Sequence, residues 1–472
     1  MLWRKFASPE RSALNLPKAA EIRRWLRAYL PLQPHPDPTL RSLWSWAQWA
    51  ILVLPLSMLL GGVSVLLISL ILLWAKFRPI AAQPINRGWL ALSGLLLLSA
   101  IAAHSPPDAY LGLFNFIPYF WVFAAFSLLV RSPVELRQLA WLIVLGSVPV
   151  TVIGLAQMVG LWLGWQQVLH IRVLWVVIDW VIDFKGTPPG RMAATFGYAN
   201  ILANYLVMTL AIALGLWLEK LTQLGHWKSW RKLDPAVWWP LGGLTLVVGL
   251  NAIALIFTNS RNAWGIAAIA GLAYALYLGW RWLVAAVGLV VGIVLGAAFA
   301  PLPLQTWLRF IVPAFFWARL TDQLYPDRPV PTLRLTQWQF AWHLTQERPW
   351  LGWGLRNFSP LYQAKTQFLL GHPHNLGFML LCETGIPATL GLVGLVGWVV
   401  ASGSQALFSA SPTGDRTIRF IFILTFLCNT LFNGFDVTLF DARINILGWV
   451  LLAGIWGSSR GDRQISPIFA PR

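Results

Sequence analysis

Charge is scarce in this sequence: 11% of its 472 residues are Asp, Glu, Lys or Arg, against about 25% in soluble domains. Acid is scarcer still, with 17 Asp and Glu beside 35 Lys and Arg. Cysteine is nearly absent. Cys382 and Cys428 both fall inside apolar runs, so no disulfide framework is encoded, and no Cys or His pair has zinc-finger spacing. There is no internal repeat and no low-complexity tract. The first 40 or so residues are polar and basic, so a cleaved signal peptide is not expected.

What fills the chain is apolar: 57% of it is hydrophobic, in runs of roughly 15 to 25 residues, and a membrane span needs about 20. Spans are predicted at 43–61, 62–75, 89–103, 110–130, 139–163, 201–218, 237–257, 263–280, 282–300, 375–399, 420–432 and 444–455. The net charge of +18 does not indicate nucleic acid, because Lys and Arg sit between apolar runs and form no contiguous face. The first two runs are either one long tilted helix or two helices turning at Gly61-Gly62. Charge favours two: with twelve spans and a cytoplasmic N-terminus, 23 of the 35 Lys and Arg fall inside. They include Arg4, Lys5, Arg23, Arg24 and Arg27 in the tail, and Lys220, Lys228, Arg231 and Lys232 in one loop. Merging the first two spans would move 15 of those 23 outside. The expected fold is therefore all-α: a multi-pass protein of about twelve transmembrane helices, placed in the cell inner membrane. Its parts are a basic cytoplasmic tail (1–42), nine spans (43–300), an external loop (301–374), three spans (375–458) and a second cytoplasmic tail (459–472).

Two segments assigned to the outer side are long. One, about 164–200, holds an apolar, Trp-rich stretch at 173–184 that is expected at the membrane interface. The other, 301–374, holds two candidate amphipathic helices, 306–320 and 333–346, mixing Trp, Phe and Leu with Arg as a lid on a bilayer would.

The same topology gathers polar residues at the outer ends of different spans. Arg191 precedes the sixth span, and Arg261 lies in the very short connection between the seventh and eighth. His372 and His374 end the long loop where the tenth span begins. Arg334 starts the second lid helix, with Trp338 and Ala341 on its face at i, i+4, i+7. Arg191 alone reads equally well as an interfacial snorkeller. A cation between two apolar spans, as Arg261 is, is costly unless paired or used. Asp436 and Asp441 are available to pair with these cations, or with Arg443. Within the tenth span, Gly385 and Pro387 predict a kink. Glu383 beside it is either functional or a protonated side chain bonding backbone freed by that kink. Lys185, Asp179 and Asp183 read as a solvated edge.

Several arginines without an acidic cluster imply an anionic ligand, and guanidinium suits phosphate oxygens. Headgroup depth puts that phosphate on a lipid. A histidine can take the proton of an attacking hydroxyl near neutral pH. These parts fit transfer from a lipid pyrophosphate to a hydroxyl acceptor, with arginines holding the leaving diphosphate in place of a metal. No Asp-x-Asp pair lies in the outer segments.

The motifs Phe196-Gly-Tyr-Ala-Asn-Ile-Leu-Ala203, Thr258-Asn-Ser-Arg261, Arg334-x-x-x-Trp338-x-x-Ala341, Pro349-Trp-Leu-Gly-Trp-Gly354, His374-Asn375 and Glu383-Thr-Gly385, in this order, resemble the O-antigen ligase and O-antigen polymerase superfamily over about 191–448. The resemblance implies a metal-independent, inverting glycosyltransferase of the C-type membrane fold, without a cofactor. Its donor would be a glycan on undecaprenyl pyrophosphate, and its acceptor a lipid A core, another glycan or a protein. It implies that Arg191 and Arg261 bind the diphosphate and that His374 is the base or orients the acceptor. Arg334, His372, Glu383 and Asp436 stand behind them. Where the family often has Asn-Pro and Arg-Gly, this chain has Tyr198-Ala199 and Arg261-Asn262. One branch of the superfamily is labelled as inorganic-carbon transporters, which makes bicarbonate transport the rival reading. A transporter predicts repeated broken helices and midplane charges, whereas only the tenth span predicts a break.

Overall fold

The computed structural model describes residues 32–174, 178–224, 235–314, 317, 318, 321, 329–409 and 414–465. Arg4, Lys5, Arg23, Arg24, Arg27, Lys228, Arg231 and Lys232 lie outside the described residues, as does the end of the C-terminal tail.

Each of the twelve apolar runs holds a helix, and the protein is an all-α polytopic membrane protein. The helices are α1 (Arg41–Val53), α2 (Met58–Ala75), α3 (Phe77–Ala81), α4 (Pro84–Ile101), α5 (Pro106–Leu113), α6 (Ile117–Leu129) and α7 (Pro133–Trp162). After a hairpin of β1 (Val168–Val173) and β2 (Ile178–Asp183) come α8 (Ala199–Gln223), α9 (Pro235–Phe257), α10 (Arg261–Tyr277), α11 (Arg281–Phe299) and α12 (Leu304–Ile311). Then follow α13 (Arg334–Glu347), α14 (Phe358–Thr366), α15 (Leu376–Ser409), α16 (Gly414–Asn433) and α17 (Ala442–Ile465). Eight spans are long and apolar enough to cross a membrane by length and composition, counting α5 and α6 as one. Outside that set, α10 stops at 17 residues and α16 opens with Asp415, Arg416 and Arg419.

Local chemistry sets the helix ends. The α7 start carries a capping box, with Ser132 and Glu135 bonding each other's backbone, and proline opens α4, α5 and α7 where its missing N–H costs nothing. Inside the bundle, Asn251 of α9 accepts from Thr209 of α8 at 2.8 Å and donates to Ser147 of α7 at 3.1 Å. That amide satisfies polar groups which hydrocarbon would leave unpaired, and so fixes three helices. At the centre, α17 packs on α2, α6, α15 and α16, burying Phe422, Phe432, Val450 and Trp456.

Three expectations are corrected. The first two runs are separate helices, but the break is at 54–57, where Pro55 sits, and not at Gly61-Gly62. Gly61 instead lets the pair meet: a Cβ there would lie 2.4 Å from Leu54 Cα. The 110–130 run is interrupted between α5 and α6. The Trp-rich stretch at 173–184, for which the sequence reading named no secondary structure, is largely β2 of an antiparallel hairpin, whose Trp180 Nε1 donates to Leu56 O at 2.7 Å. The first lid helix is broken before Pro313: α12 ends at Ile311, and Ala314, Trp317 and Ala318 beyond the break are again helical.

Candidate active site

The site lies where α8, α10, α13 and α15 begin and α9 and α16 end. Arg191 is carried there by the loop between β2 and α8. Gly186, at φ +82°, lets the chain fold back so closely that a Cβ would lie 2.2 Å from Arg191 O. Gln157 of α7 clamps this loop, accepting from the Ala193 and Ala194 N–H groups at 3.0 and 2.9 Å. Met192 N donates to Phe257 O at 2.9 Å. The guanidinium then reaches across, with Nε donating to Thr258 O at 2.7 Å and a terminal nitrogen donating to Asn200 Oδ1.

Asn200 passes the connection on. Its Nδ2 donates to Asp436 Oδ2 at 2.6 Å. The other carboxylate oxygen takes His374 Nδ1 at 2.9 Å and the Val437 N–H at 3.0 Å. Burial pushes the Asp436 pKa up, but the bond and charge of His374, the charge of His372 and the Asn200 bond outweigh it and hold the group below its ordinary value. A carboxylate there requires the proton on His374 Nδ1 and leaves Nε2 as the proton acceptor. His372 is the buffer behind this pair. Its Nδ1 accepts from the His374 N–H at 3.2 Å, and its Nε2 lies 3.9 Å from Asp436 Oδ1. Burial and the neighbouring His374 lower its pKa to about 4, so it is neutral.

Arg191, Arg261, Arg334, His374 and Asp436 line one cavity of about 900 Å³. Arg261 and Arg334 are the first residues of α10 and α13, and Asn200 is the second of α8. Three helix N-termini therefore face the space, and their partial positive charge adds to the three guanidinium groups. Burial lowers the Arg191 pKa, opposed by Tyr198 and Asp436, and a guanidinium stays charged regardless. One carboxylate sits among these cations. Three guanidinium groups against one carboxylate leave the lining of the cavity net positive.

Trp338, one turn after Arg334, donates from Nε1 to Pro373 O at 3.0 Å and stacks on Phe378, while Ala341 is fully buried. The predicted face of this helix thus ties the His374 segment to the lid. Asn375 accepts from Phe378 N at 3.0 Å as the cap of α15 and donates to Gly434 O at 2.9 Å. Two non-glycine residues lining the cavity hold left-handed backbone, Asn259 (φ 48°) and His374 (φ 51°), which persists only where the surroundings enforce it.

Glu383 does not line the cavity. It is buried, and its Oε1 accepts from Phe358 N at 3.2 Å at the start of α14. Gly385 (φ 80°, ψ 169°) breaks α15 as expected, and Trp353 N and Gly354 N donate to the Cys382 and Glu383 carbonyls at 2.9 and 2.8 Å. The acid belongs to the joint between the kink and the 349–358 segment. Asp441 pairs with Arg443, whose guanidinium lies over Phe196 at 3.8 Å. Asp179 bonds His170 on the hairpin, away from the site. Asn200 and Gln157 were not singled out in the sequence. Asn200 and Asn204, four apart in an apolar span, were the available signal.

His372, His374 and Asp436 are also the group, among the described residues, whose ligand atoms approach closely enough for a metal, within 4.8 Å of one another. Within this group His374 Nδ1 and Asp436 Oδ1 bond to each other, and His372 Nδ1 accepts from the His374 N–H.

Comparison with known families meets this geometry directly. Residues 244–393 match the O-antigen ligase family. The O-antigen ligase match supports the superfamily inferred from the motifs and, at family level, a ligase- or polymerase-type membrane glycosyltransferase. It takes in Arg261, Arg334, His372, His374 and Glu383, whereas Arg191, Asn200 and Asp436 lie outside it. No curated protein matches the chain.

Proposed function

We propose that the protein transfers a glycan from an undecaprenyl pyrophosphate carrier to a hydroxyl acceptor, at the outer face of the inner membrane, by a single inverting displacement without a metal. The observation that carries this is the joining of three arginines and a His374–Asp436 pair in one cavity at the end of a membrane bundle.

The acceptor oxygen attacks the anomeric carbon as its bond to the diphosphate oxygen breaks, and the acceptor proton passes to His374 Nε2. Asp436 stabilises the imidazolium that results. Charge grows on the leaving diphosphate, and Arg191 and Arg261 hold it, with Arg334 and the helix N-termini adding positive potential. His372 stays neutral and buttresses His374.

Purified protein, a glycan on a lipid pyrophosphate and a hydroxyl acceptor test the assignment. Arg261→Ala is expected to weaken donor binding and turnover together, because its contact exists in ground and transition states alike, and Lys rescues it only in part. His374→Ala is expected to bind donor nearly normally and turn over about 10²–10⁴-fold more slowly. Chelators are expected to leave activity in place. Full transfer by His374→Ala removes the histidine from the chemistry, and strict dependence on added metal overturns the role given to the arginines.

A further inference from the structure

Three side chains that can each offer a lone pair to a metal meet at one end of the cavity. His374 Nδ1 lies 2.9 Å from Asp436 Oδ1, and His372 Nε2 lies 3.9 Å from the same oxygen. Neighbouring ligand atoms of a tetrahedral zinc site stand about 3.3 Å apart, because the bonds to the ion are about 2.0–2.1 Å long. The two separations bracket that value, so modest side-chain rotations seat an ion among the three. Two imidazoles and one carboxylate suit zinc or a neighbouring transition metal, whereas magnesium and calcium take oxygen ligands.

The surroundings resemble those of a ligand set. Asn200 Nδ2 holds the other oxygen of Asp436 at 2.6 Å, the kind of outer contact that orients a coordinating carboxylate. Phe440 stacks on the His372 ring. The His372 and His374 side chains keep 18% and 31% of their surface exposed, so an ion can enter from the cavity and a water can fill the fourth position. Two features weaken the site. Arg191, joined to Asp436 through Asn200, repels a dication. Both rings must also change tautomer. His372 Nδ1 accepts from the His374 N–H at 3.2 Å, so its proton sits on Nε2 and must move to Nδ1 at the expense of that bond. The His374 proton must move from Nδ1 to Nε2. Both rings stay neutral throughout, and no net proton is released.

We infer that His372, His374 and Asp436 form an inhibitory zinc site, in which one Zn2+ takes His374 Nδ1 and fixes a proton on Nε2. The metal is an inhibitor of the protein and not its cofactor. Its binding stands on the geometry of the three side chains, whereas the inhibition rests on the glycosyl-transfer reading above. In that reading Nε2 receives the proton of the acceptor, and a nitrogen already protonated cannot. The arginines are untouched, so ion and donor occupy the protein together and only the chemical step is lost.

Full-length protein in nanodiscs, freed of metal by a chelator, is titrated with ZnCl2 by calorimetry and with CoCl2 by visible absorption. Wild type is expected to bind one zinc with a Kd on the order of 1–10 μM, weaker than a structural site, and to give the intense spectrum of tetrahedral Co2+. His372→Ala and Asp436→Asn are each expected to lower the affinity by at least about 100-fold, and Asn200→Ala by about 10–100-fold. An unchanged donor Kd in His372→Ala shows that this variant is folded, and if it is not, the wild-type Co2+ spectrum decides, a pale six-coordinate one overturning the site. His343→Ala removes the exposed His343–Glu347 pair of α13, 3.3 Å apart, and is expected to keep the zinc. In transfer, zinc is expected to lower wild-type kcat by at least about tenfold with donor Kd unchanged, reversibly by chelator, and to leave the residual turnover of His372→Ala as it was. No zinc bound at about 1 mM, affinity lost in His343→Ala and kept in His372→Ala, or inhibition seen only as a rise in donor Kd overturns the inference while transfer stands. Zinc binding that His372→Ala abolishes, in a protein that transfers nothing, upholds the site and overturns the function.

Discussion

At the scale of single residues, the candidate site is a line of four side chains, Arg191–Asn200–Asp436–His374, in which each polar group answers the next. The cations and the histidine were legible because charged groups in short connections between apolar spans are costly without a purpose. The link was not legible, since an asparagine at the start of a span looks the same whether it caps, packs or bridges. Asp436→Asn tests what the carboxylate does. An amide at that place satisfies His374 in the other tautomer, so turnover is expected to fall by up to about 10⁴-fold while donor Kd changes little. Asn200→Ala releases both neighbours at once and is expected to lower kcat and raise donor Kd together, whereas Asn200→Asp keeps an acceptor for Arg191 but sets a second carboxylate against Asp436 in place of a donor. A normal kcat in Asn200→Ala, with donor binding intact, would show that Arg191 and Asp436 work independently.

Among the elements, hydropathy located every helical span but not how some of them break. A run of apolar residues reads alike whether Pro55 splits it into α1 and α2, or Asn115 and its neighbours separate α5 from α6. The hairpin was missed because the Trp-rich stretch reads as apolar interface and its partner strand, Val168–Val173, lies mostly before it. The kink in α15 was legible from Gly385 and Pro387, and its partner was not: the 349–358 segment that packs on it is distant in sequence. Glu383 belongs to that joint. Glu383→Gln keeps an acceptor for the Phe358 N–H and is expected to unfold in detergent at the wild-type temperature. Glu383→Ala leaves the N–H buried without one, a loss of about 1–3 kcal/mol, while the protein that remains folded should transfer normally. A folded Glu383→Gln without transfer would return the acid to the mechanism. Gly385→Ala is expected to be worse than Glu383→Ala. Its φ of +80° disfavours any side chain, and a Cβ would lie 2.5 Å from Trp350 O.

For the whole molecule sidedness is decisive, because a lipid pyrophosphate site is useful only where the lid and the cavity share one face of the membrane. On the twelve-span reading, the positive-inside bias predicts 23 of 35 cations on the face opposite Arg334. The bundle supplies an independent reason. Arg137 and Glu219 pair at the end of α7 and α8 remote from the cavity, and Lys220 follows in the same turn, so the basic connection at 219–236 departs from the end opposite the cavity. Single cysteines introduced at Lys228 and at Leu335, read with a membrane-impermeant thiol reagent in intact and opened cells, measure this directly. Both native cysteines are buried and give little background. Leu335, 64% exposed beside the cavity mouth, is expected to label from outside, and Lys228 only after the cytoplasmic face is opened. Labelling of both from one side would require an even number of crossings between them, in place of the three that α9, α10 and α11 supply. That outcome would dismantle the twelve-span arrangement and with it the external lid, leaving the arginine cavity without access to a carrier presented on the outer face.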